Sequence, residues 1–262
     1  TTLNIGLFKY PKSTKIIEIN LESKNVREID RKLLAEFAKK DSNTTAISSY
    51  YLRDNRIFEY FIALQYINYW HFLNPGSNEP LNRKKMEEHL KKTETINNGN
   101  WRNVFITLAS LGFTDSKNHL TSSGRRMAML DLSEFSYTLF DAYIKPYIKV
   151  LLATLNNNRD SKTGKVNLSN QEIVEKIKEE YSNKEVLYLT ESNGRYVSSW
   201  LNIMRDDYGF VDFKPRNSTR EVKYNPFDLS KDDLIQKIKE QPIAKRYCEK
   251  FYELLRNGDF NN

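Results

Sequence analysis

The fold is decided by two similar stretches of sequence, Asn100-Trp-Arg-Asn-Val-Phe-Ile-Thr-Leu-Ala-Ser-Leu-Gly-Phe-Thr114 and Tyr196-Val-Ser-Ser-Trp-Leu-Asn-Ile-Met-Arg-Asp-Asp-Tyr-Gly-Phe-Val211. In both stretches apolar residues recur at the spacing of one helix face. These residues are Trp101, Val104, Phe105 and Leu108 in the first stretch, and Val197, Trp200, Leu201 and Met204 in the second. Each stretch then ends in Gly-Phe. Two amphipathic helices with the same ending indicate an internal repeat.

The repeat extends towards the N-terminus of both stretches. Ile57-Phe-Glu-Tyr-Phe-Ile-Ala-Leu, an apolar helix by its pattern, is matched 87 positions later by Ile144-Lys-Pro-Tyr-Ile-Lys-Val-Leu. A second helix follows in each copy. It is predicted to start after Asn82 in the first copy, and after Ser169, which forms a capping box with Glu172, in the second. The second copy carries an insertion of about ten residues before or within its third helix.

A hairpin signal follows each Gly-Phe pair. The first hairpin is predicted from Phe113-Thr-Asp, a turn at Ser116-Lys-Asn-His and Leu120-Thr-Ser. The second is predicted from Phe210-Val-Asp-Phe-Lys, a turn at Pro215-Arg-Asn-Ser and Arg220-Glu-Val-Lys-Tyr. Three helices followed by a β-hairpin is the winged-helix arrangement. We therefore predict a mainly α fold with small β-hairpins (α+β), built from tandem winged-helix subdomains.

The repeat also divides the chain. We predict an N-terminal arm and helix in residues 1–55, a first winged-helix subdomain in 56–130, a linker in 131–142, a second winged-helix subdomain in 143–228 and C-terminal helices in 229–262. The helix of the first segment is placed at Val26 to Lys39. In the last segment, Ser230 with Asp233 caps one helix, Pro242 separates it from the next, and Gly258 ends the chain's last helix.

Composition excludes several classes of protein. Among 262 residues, 41 Lys and Arg against 34 Asp and Glu give a net charge of +7, and 39% are hydrophobic, which is enough for packed cores. No stretch has the sequence of a transmembrane span and no signal peptide opens the chain, so we expect no membrane partner and a cytoplasmic location. The single cysteine, Cys248, excludes a disulfide framework and a cysteine-built zinc site.

The third helix of each copy is the predicted DNA-reading element, because in helix-turn-helix folds it enters the major groove. The outward residues predicted to read bases are Asn100, Arg102, Asn103 and Thr107 in the first copy, and Arg195, Tyr196, Ser198, Ser199 and Asn202 in the second. Arg suits guanine, Asn suits adenine, and Ser or Thr suits either. Any exposed helix face is polar, but these faces lack Asp and Glu through most of their length, whereas the second helices mix both signs.

Basic residues around the two faces are predicted to contact phosphates. They are Lys9, Lys12, Lys117, Arg125, Arg126, Lys214, Arg216 and Arg220. Such contacts give salt-dependent affinity without sequence information. The N-terminal arm with its lysines either lies along a groove or forms an edge strand. Because the two reading helices differ in their exposed residues, we predict a monomer on an asymmetric site in double-stranded DNA.

No catalytic or metal site is predicted in this chain. A metal-dependent nuclease site would need an acidic residue, any residue and Lys in sequence, together with a further carboxylate. Six such tripeptides occur, as expected by chance in a chain rich in both residue types. The best combination, Asp207 with Glu221 and Lys223, lies at the second hairpin. His71, His89 and His119 are scattered, and no Gly-rich phosphate loop or nucleophile elbow is present.

These features resemble the DNA-recognition half of type IIS restriction endonucleases, and within that class the BpuJI-like group, whose recognition domain carries two winged-helix subdomains. The resemblance covers roughly residues 55 to 228 and rests on the two stretches quoted at the start. It implies a separate C-terminal cleavage domain, with Mg²⁺ as a cofactor expected only there. The start at Thr1 rather than Met agrees with a piece of such a site-specific deoxyribonuclease.

Three alternatives remain from the sequence. A plasmid replication initiator also pairs two winged helices, and it would dimerise and prefer repeated sites. A transcription regulator with two winged helices is the second alternative. The third is of another class, a winged-helix module for protein interaction, which would bind DNA weakly and without steep salt dependence.

Overall fold

The computed structural model describes residues 55–181 and 194–260, and the predicted arm and the helix at Val26 to Lys39 lie outside this part. The described chain is mostly helical with a small antiparallel sheet, which confirms the predicted α+β class. Its helices are α1 (Ile57–Leu73), α2 (Arg83–Lys91), α3 (Trp101–Ser110), α4 (Ser122–Ala128), α5 (Leu132–Leu139), α6 (Lys145–Asn157), α7 (Asn170–Tyr181), α8 (Gly194–Asp206), α9 (Lys231–Lys239) and α10 (Pro242–Arg256). Its strands are β1 (Val166–Asn167), β2 (Val211–Asp212) and β3 (Thr219–Val222).

The first repeat is built around α1, which lies inside the protein. From Ile57 to Ile67 every residue except Gln65 is buried, so the first three turns of this helix have no polar face. A helix that is apolar all round must be covered on several sides. Four helices cover it, namely α3, α4, α5 and α10.

The second repeat places α7 and α8 on α6 and adds a three-stranded sheet in the order β1-β3-β2. Both strand pairs are antiparallel, with Val166 opposite Arg220 and Val211 opposite Val222. Trp200 of α8 stacks on Tyr147 of α6, with ring centroids 4.8 Å apart. The predicted capping box is confirmed, since the Glu172 amide donates to Ser169 Oγ and the Ser169 amide donates to the Glu172 carboxylate.

The Gly-Phe pairs end α3 and α8, the two helices predicted to read bases, in the same way. Gly112 and Gly209 have φ values of 72° and 69°, a left-handed conformation that favours glycine. The turn lets the Phe113 amide donate to the Leu108 carbonyl (2.9 Å), and the Phe210 amide donate to the Met204 carbonyl (2.8 Å). Both phenylalanines are thereby directed into the core, where they are buried.

The hairpins differ from prediction in length. The first contains a single bridge, Thr114 to Leu120, because its loop is held by the Asp115 side chain, which accepts from the amides of Lys117 and His119. The second is a true strand pair, shorter than predicted. Strand β1 was not predicted, because its two residues are too few to form a recognisable pattern.

The span 131–142, predicted as a linker, is helical. Asp131 caps α5 by accepting from the Glu134 amide, and a π-helical turn over Phe140–Ile144 continues α5 into α6. The C-terminal helices return to this region, with α9 packed on α5 and α10 packed on α1. The Ser230 cap, the break at Pro242 and the turn at Gly258 are all confirmed.

Candidate nucleic-acid interface

A cleft of about 480 Å³ lies beside α8 in the second repeat, and both polar and apolar side chains line it. Three elements form it: the start of α7, the outward face of α8 and the second hairpin. Its lining includes Ser169 and Asn170 from α7, Ser198 and Asn202 from α8, and Arg216 and Ser218 from the hairpin. The start of a helix presents unpaired amides that favour anions, and the neighbouring side chains are hydrogen-bonding groups of the kind that contact bases.

Arg220 joins two sides of this cleft, the second hairpin and the start of α7. The prediction that it binds phosphate is wrong. The residue is 4% exposed, and its guanidinium donates to the Leu168 carbonyl, the Ser218 carbonyl and the Asn170 side chain. Burial lowers the pKa of the Arg220 guanidinium. These bonds fasten the hairpin to the start of α7.

Phe213 was missed by the sequence analysis. It lines the cleft, with the Arg205 guanidinium 4.4 Å and the Arg220 guanidinium 5.8 Å from its ring centre. Such cation–π contacts fix the ring between α8 and the hairpin. In the sequence Phe213 directly follows the two residues of β2, and nothing in that pattern indicates a position beside a cleft.

The predicted base-reading residues divide into three groups. Asn100 and Arg102 are exposed, and Asn103, Ser198 and Asn202 are half-buried, all in positions that leave side-chain surface open. The predictions for Thr107 and Ser199 are wrong, because each is 4% exposed. Arg195 and Tyr196 lie in the first turn of α8, but their side chains are outside the described part of the structure.

The predicted phosphate-binding residues also divide. Those exposed at the surface are Lys117, Arg125, Arg126, Lys214 and Arg216. Arg125 and Arg126 belong to α4, not to the hairpin, and Lys9 and Lys12 lie outside the described residues. His119 of the first hairpin is buried, and its Nε2 is 2.8 Å from the Glu79 carbonyl.

A buried polar network at the start of α1 joins the two reading helices. Glu59 accepts from the amide of Asn97, three residues before the cap of α3 (3.2 Å). It also accepts from the Arg56 amide (2.8 Å) and the Asn55 side chain (2.9 Å). Arg56 Nε donates to Asp206 at the end of α8 (2.6 Å). The start of α3 and the end of α8 are therefore fixed to one helix.

Asp207 adds a third carboxyl to this network. Its Oδ1 accepts from the Phe58 amide in the first turn of α1 (3.0 Å), while its Oδ2 is buried without a hydrogen-bond partner in the described structure. Burial raises the pKa of Asp207 from 3.8 to about 8, although the amides of Ile57 and Phe58 and the charge of Arg56 act in the opposite direction. The carboxyl is therefore protonated at neutral pH.

This protonation predicts a pH dependence of stability. Between pH 4 and pH 8 the folded protein holds a proton on Asp207 that the unfolded chain releases, so the free energy of unfolding falls as pH rises through this range. We expect Asp207→Asn to remove the decrease in the free energy of unfolding that Asp207 causes, which is on the order of a few kcal/mol. Chemical denaturation at pH 5 and pH 9 checks it. The exposed Asp212→Asn is the control, and equal pH dependence of wild type and Asp207→Asn would contradict the assignment.

Comparison with known proteins gives no match. No protein-family model, no curated protein and no solved structure is similar to the chain by sequence or fold at a significant level. None of the helices in residues 55–181 and 194–260 has the length and apolar character to cross a bilayer. Within the same ranges, no group of three or more His, Cys, Asp or Glu side chains is arranged to hold a metal ion.

Proposed function

We propose that the protein binds double-stranded DNA sequence-specifically, through two winged-helix subdomains whose third helices, α3 and α8, enter the major groove. The observation that carries the proposal is the cleft beside α8. At this cleft the start of α7 and the basic second hairpin lie beside the polar face of α8, which has no carboxylates. The first two elements suit phosphate contacts and the face of α8 suits base contacts, so one surface offers both. The order of elements in the second repeat, α6-β1-α7-α8-β2-β3, supports the winged-helix interpretation.

The first repeat supports the same proposal with fewer strands. Its helices α1, α2 and α3 are followed by the bridged hairpin. The Leu81 amide donates to the Lys117 carbonyl (3.0 Å), and this bond corresponds to the pairing of β1 with β3 in the second repeat. Asn100, Arg102 and Asn103 stand at the start of α3, the end of a recognition helix that meets base edges.

The two faces differ in residue type, and the protein presents both from one chain. A site read by unlike helices has no need of two-fold symmetry, so we infer a monomer on an asymmetric site. On the resemblance of the two stretches, we propose the role of target recognition in a type IIS restriction endonuclease that acts in the bacterial cytoplasm.

Two alanine variants test this function and separate base contacts from phosphate contacts. Arg102→Ala should cost about 1–3 kcal/mol of discrimination at one base pair and leave the salt dependence largely unchanged. Lys214→Ala should weaken binding to all sequences alike and lower the slope of log affinity against log salt by about one. Equilibrium binding to specific and unrelated duplexes over a salt series measures both.

The control for these variants is Lys231→Ala, since Lys231 lies on α9 and its ammonium is 5.4 Å from the Tyr137 ring centre, away from both proposed faces. Weak binding of the wild type to every duplex, without salt dependence, would instead favour a module for protein interaction. That result would remove the proposed function.

A further inference from the structure

A second cleft, of about 560 Å³, lies in the first repeat, and no residue of α3 lines it. It is formed by the end of α1, the loop that follows, the first hairpin and the start of α4. The nitrogen-bearing side chains that line it are Asn68, His71, Asn78, Lys117, His119 and Arg125. Donors therefore converge on this space from four separate elements.

Two imidazole rings form one wall of the cleft. The centroids of His71 and His119 are 4.9 Å apart, and Trp70 packs edge-on against both rings, at 5.3 Å and 5.8 Å. His119 is held by the Glu79 carbonyl, but Nε2 of His71 is shielded from water and has no hydrogen-bond partner in the described structure. A buried polar atom without a partner costs free energy, and a bound ligand would supply that partner if the His71 ring turned Nε2 towards the cleft.

The charge of the cleft favours an anion. Lys117 and Arg125 contribute two cations, and Asp115 is the one carboxylate in its lining. Asp115 Oδ1 is already occupied by the amides of Lys117 (2.8 Å) and His119 (2.9 Å). Burial, His119 and Arg125 lower the pKa of His71, while Asp115 acts in the opposite direction. An anion entering the cleft would reverse this shift.

We propose that this cleft binds a phosphate group, and that in the protein–DNA complex the group is a backbone phosphate next to the first hairpin. A phosphate suits the site because its oxygens point in several directions, so it can accept from α1, the hairpin and α4 at once. The assignment of this group to the DNA backbone rests on the proposed function. It adds a phosphate contact made by residues outside α3, and it extends the footprint on the duplex beyond the bases that are read.

Two neighbouring arginines provide a matched test. Arg125 lines the cleft, whereas its exposed neighbour Arg126 does not. We expect Arg125→Ala to weaken binding to a random-sequence duplex about tenfold and to lower the salt slope by about one. Arg126 was also predicted to contact phosphate, but it does not line the cleft, so a contact made through the cleft predicts a clearly smaller loss for Arg126→Ala. Equal losses for the two variants, or none for Arg125→Ala, would overturn the site.

The His71 ring provides a readout that does not depend on affinity. Its proton resonances, followed by NMR from pH 5 to pH 8, should show a higher pKa when the duplex is bound, and Arg125→Ala should reduce that rise. Inorganic phosphate alone is the second arm. A shift with both probes, or with the duplex alone, supports the proposal, whereas a shift with phosphate alone overturns the DNA assignment and a shift with neither overturns the site. A duplex that binds without these effects leaves the proposed function standing, and failure to bind any duplex removes it.

Discussion

Replacing Arg56 with alanine is expected to lower the free energy of unfolding by about 3–5 kcal/mol, because it removes a buried guanidinium from the buried carboxylate of Asp206. The Arg56 side chain is 5% exposed and donates to Asp206, whose side chain has no exposure at all. Glu59, also fully buried, lies in the same network. The charge of Asp206 would then be left to Arg205, whose side chain is 18% exposed at the edge of the network.

Urea denaturation of the wild type and Arg56→Ala measures the loss. Arg205→Ala is the matched control, because it removes another guanidinium from the same carboxylate of Asp206 (Nε to Oδ1, 2.6 Å) at a position that water can reach. We expect the control to lose less than half as much. An Arg56→Ala variant as stable as the control would contradict the view that this network joins the repeats.

Replacing Trp200 with alanine is the second change with a large expected effect, a loss of about 3–5 kcal/mol. Trp200 is 2% exposed and stacks on Tyr147, so it fastens the reading helix α8 to α6. The substitution removes a large aromatic side chain from the core and leaves a cavity. Thermal or chemical denaturation measures the loss.

Trp200→Phe is the control for this variant, since a smaller ring keeps part of the stacking on Tyr147. We expect it to lose clearly less than the alanine variant. If Trp200→Ala unfolds with the wild-type midpoint, the packing of α8 described above is wrong.

Features with a local cause were predicted correctly. The cap at Ser169 depends on a residue three positions away, and the turn at Gly112 depends on the backbone freedom of one residue. The inward row from Trp101 to Leu108 follows from helix periodicity alone. For this reason the C-terminal ends of α3 and α8 and their core faces could be predicted from the sequence.

Thr107 and Ser199 show where periodicity was insufficient. Both are next to an inward residue of the helix, Leu108 and Trp200, and helices packed from two sides bury a wider arc than the apolar row suggests. Arg220 could have been assigned correctly from the same kind of pattern. Arg220 and Val222 are two residues apart in β3, so their side chains point to the same face of the sheet. An inward Val222 therefore places Arg220 inward too.

The network at the start of α1 could not be predicted, since it joins residues far apart in the chain. Arg56 and Asp206 are 150 positions apart, and Glu59 and Asn97 are 38 apart. In sequence, Asp206 and Asp207 look like ordinary acidic residues at a helix end. Only the tertiary fold brings them to the first turn of α1 and buries them there.

This network has a consequence for the proposed function. Since α3 and α8 are both fixed to α1, the bases that they contact must lie at a set distance along the duplex. We therefore expect one spacing between the two parts of the recognised site, and a loss of affinity when base pairs are inserted between them.

Selection of bound sequences from a random duplex pool tests the central claim most directly. The account predicts enrichment of one asymmetric site of about four to seven base pairs, bound by a single chain, with the two helices contacting roughly three base pairs each. Enrichment of a palindrome bound by two chains, or a pool that stays random after repeated rounds, would contradict it.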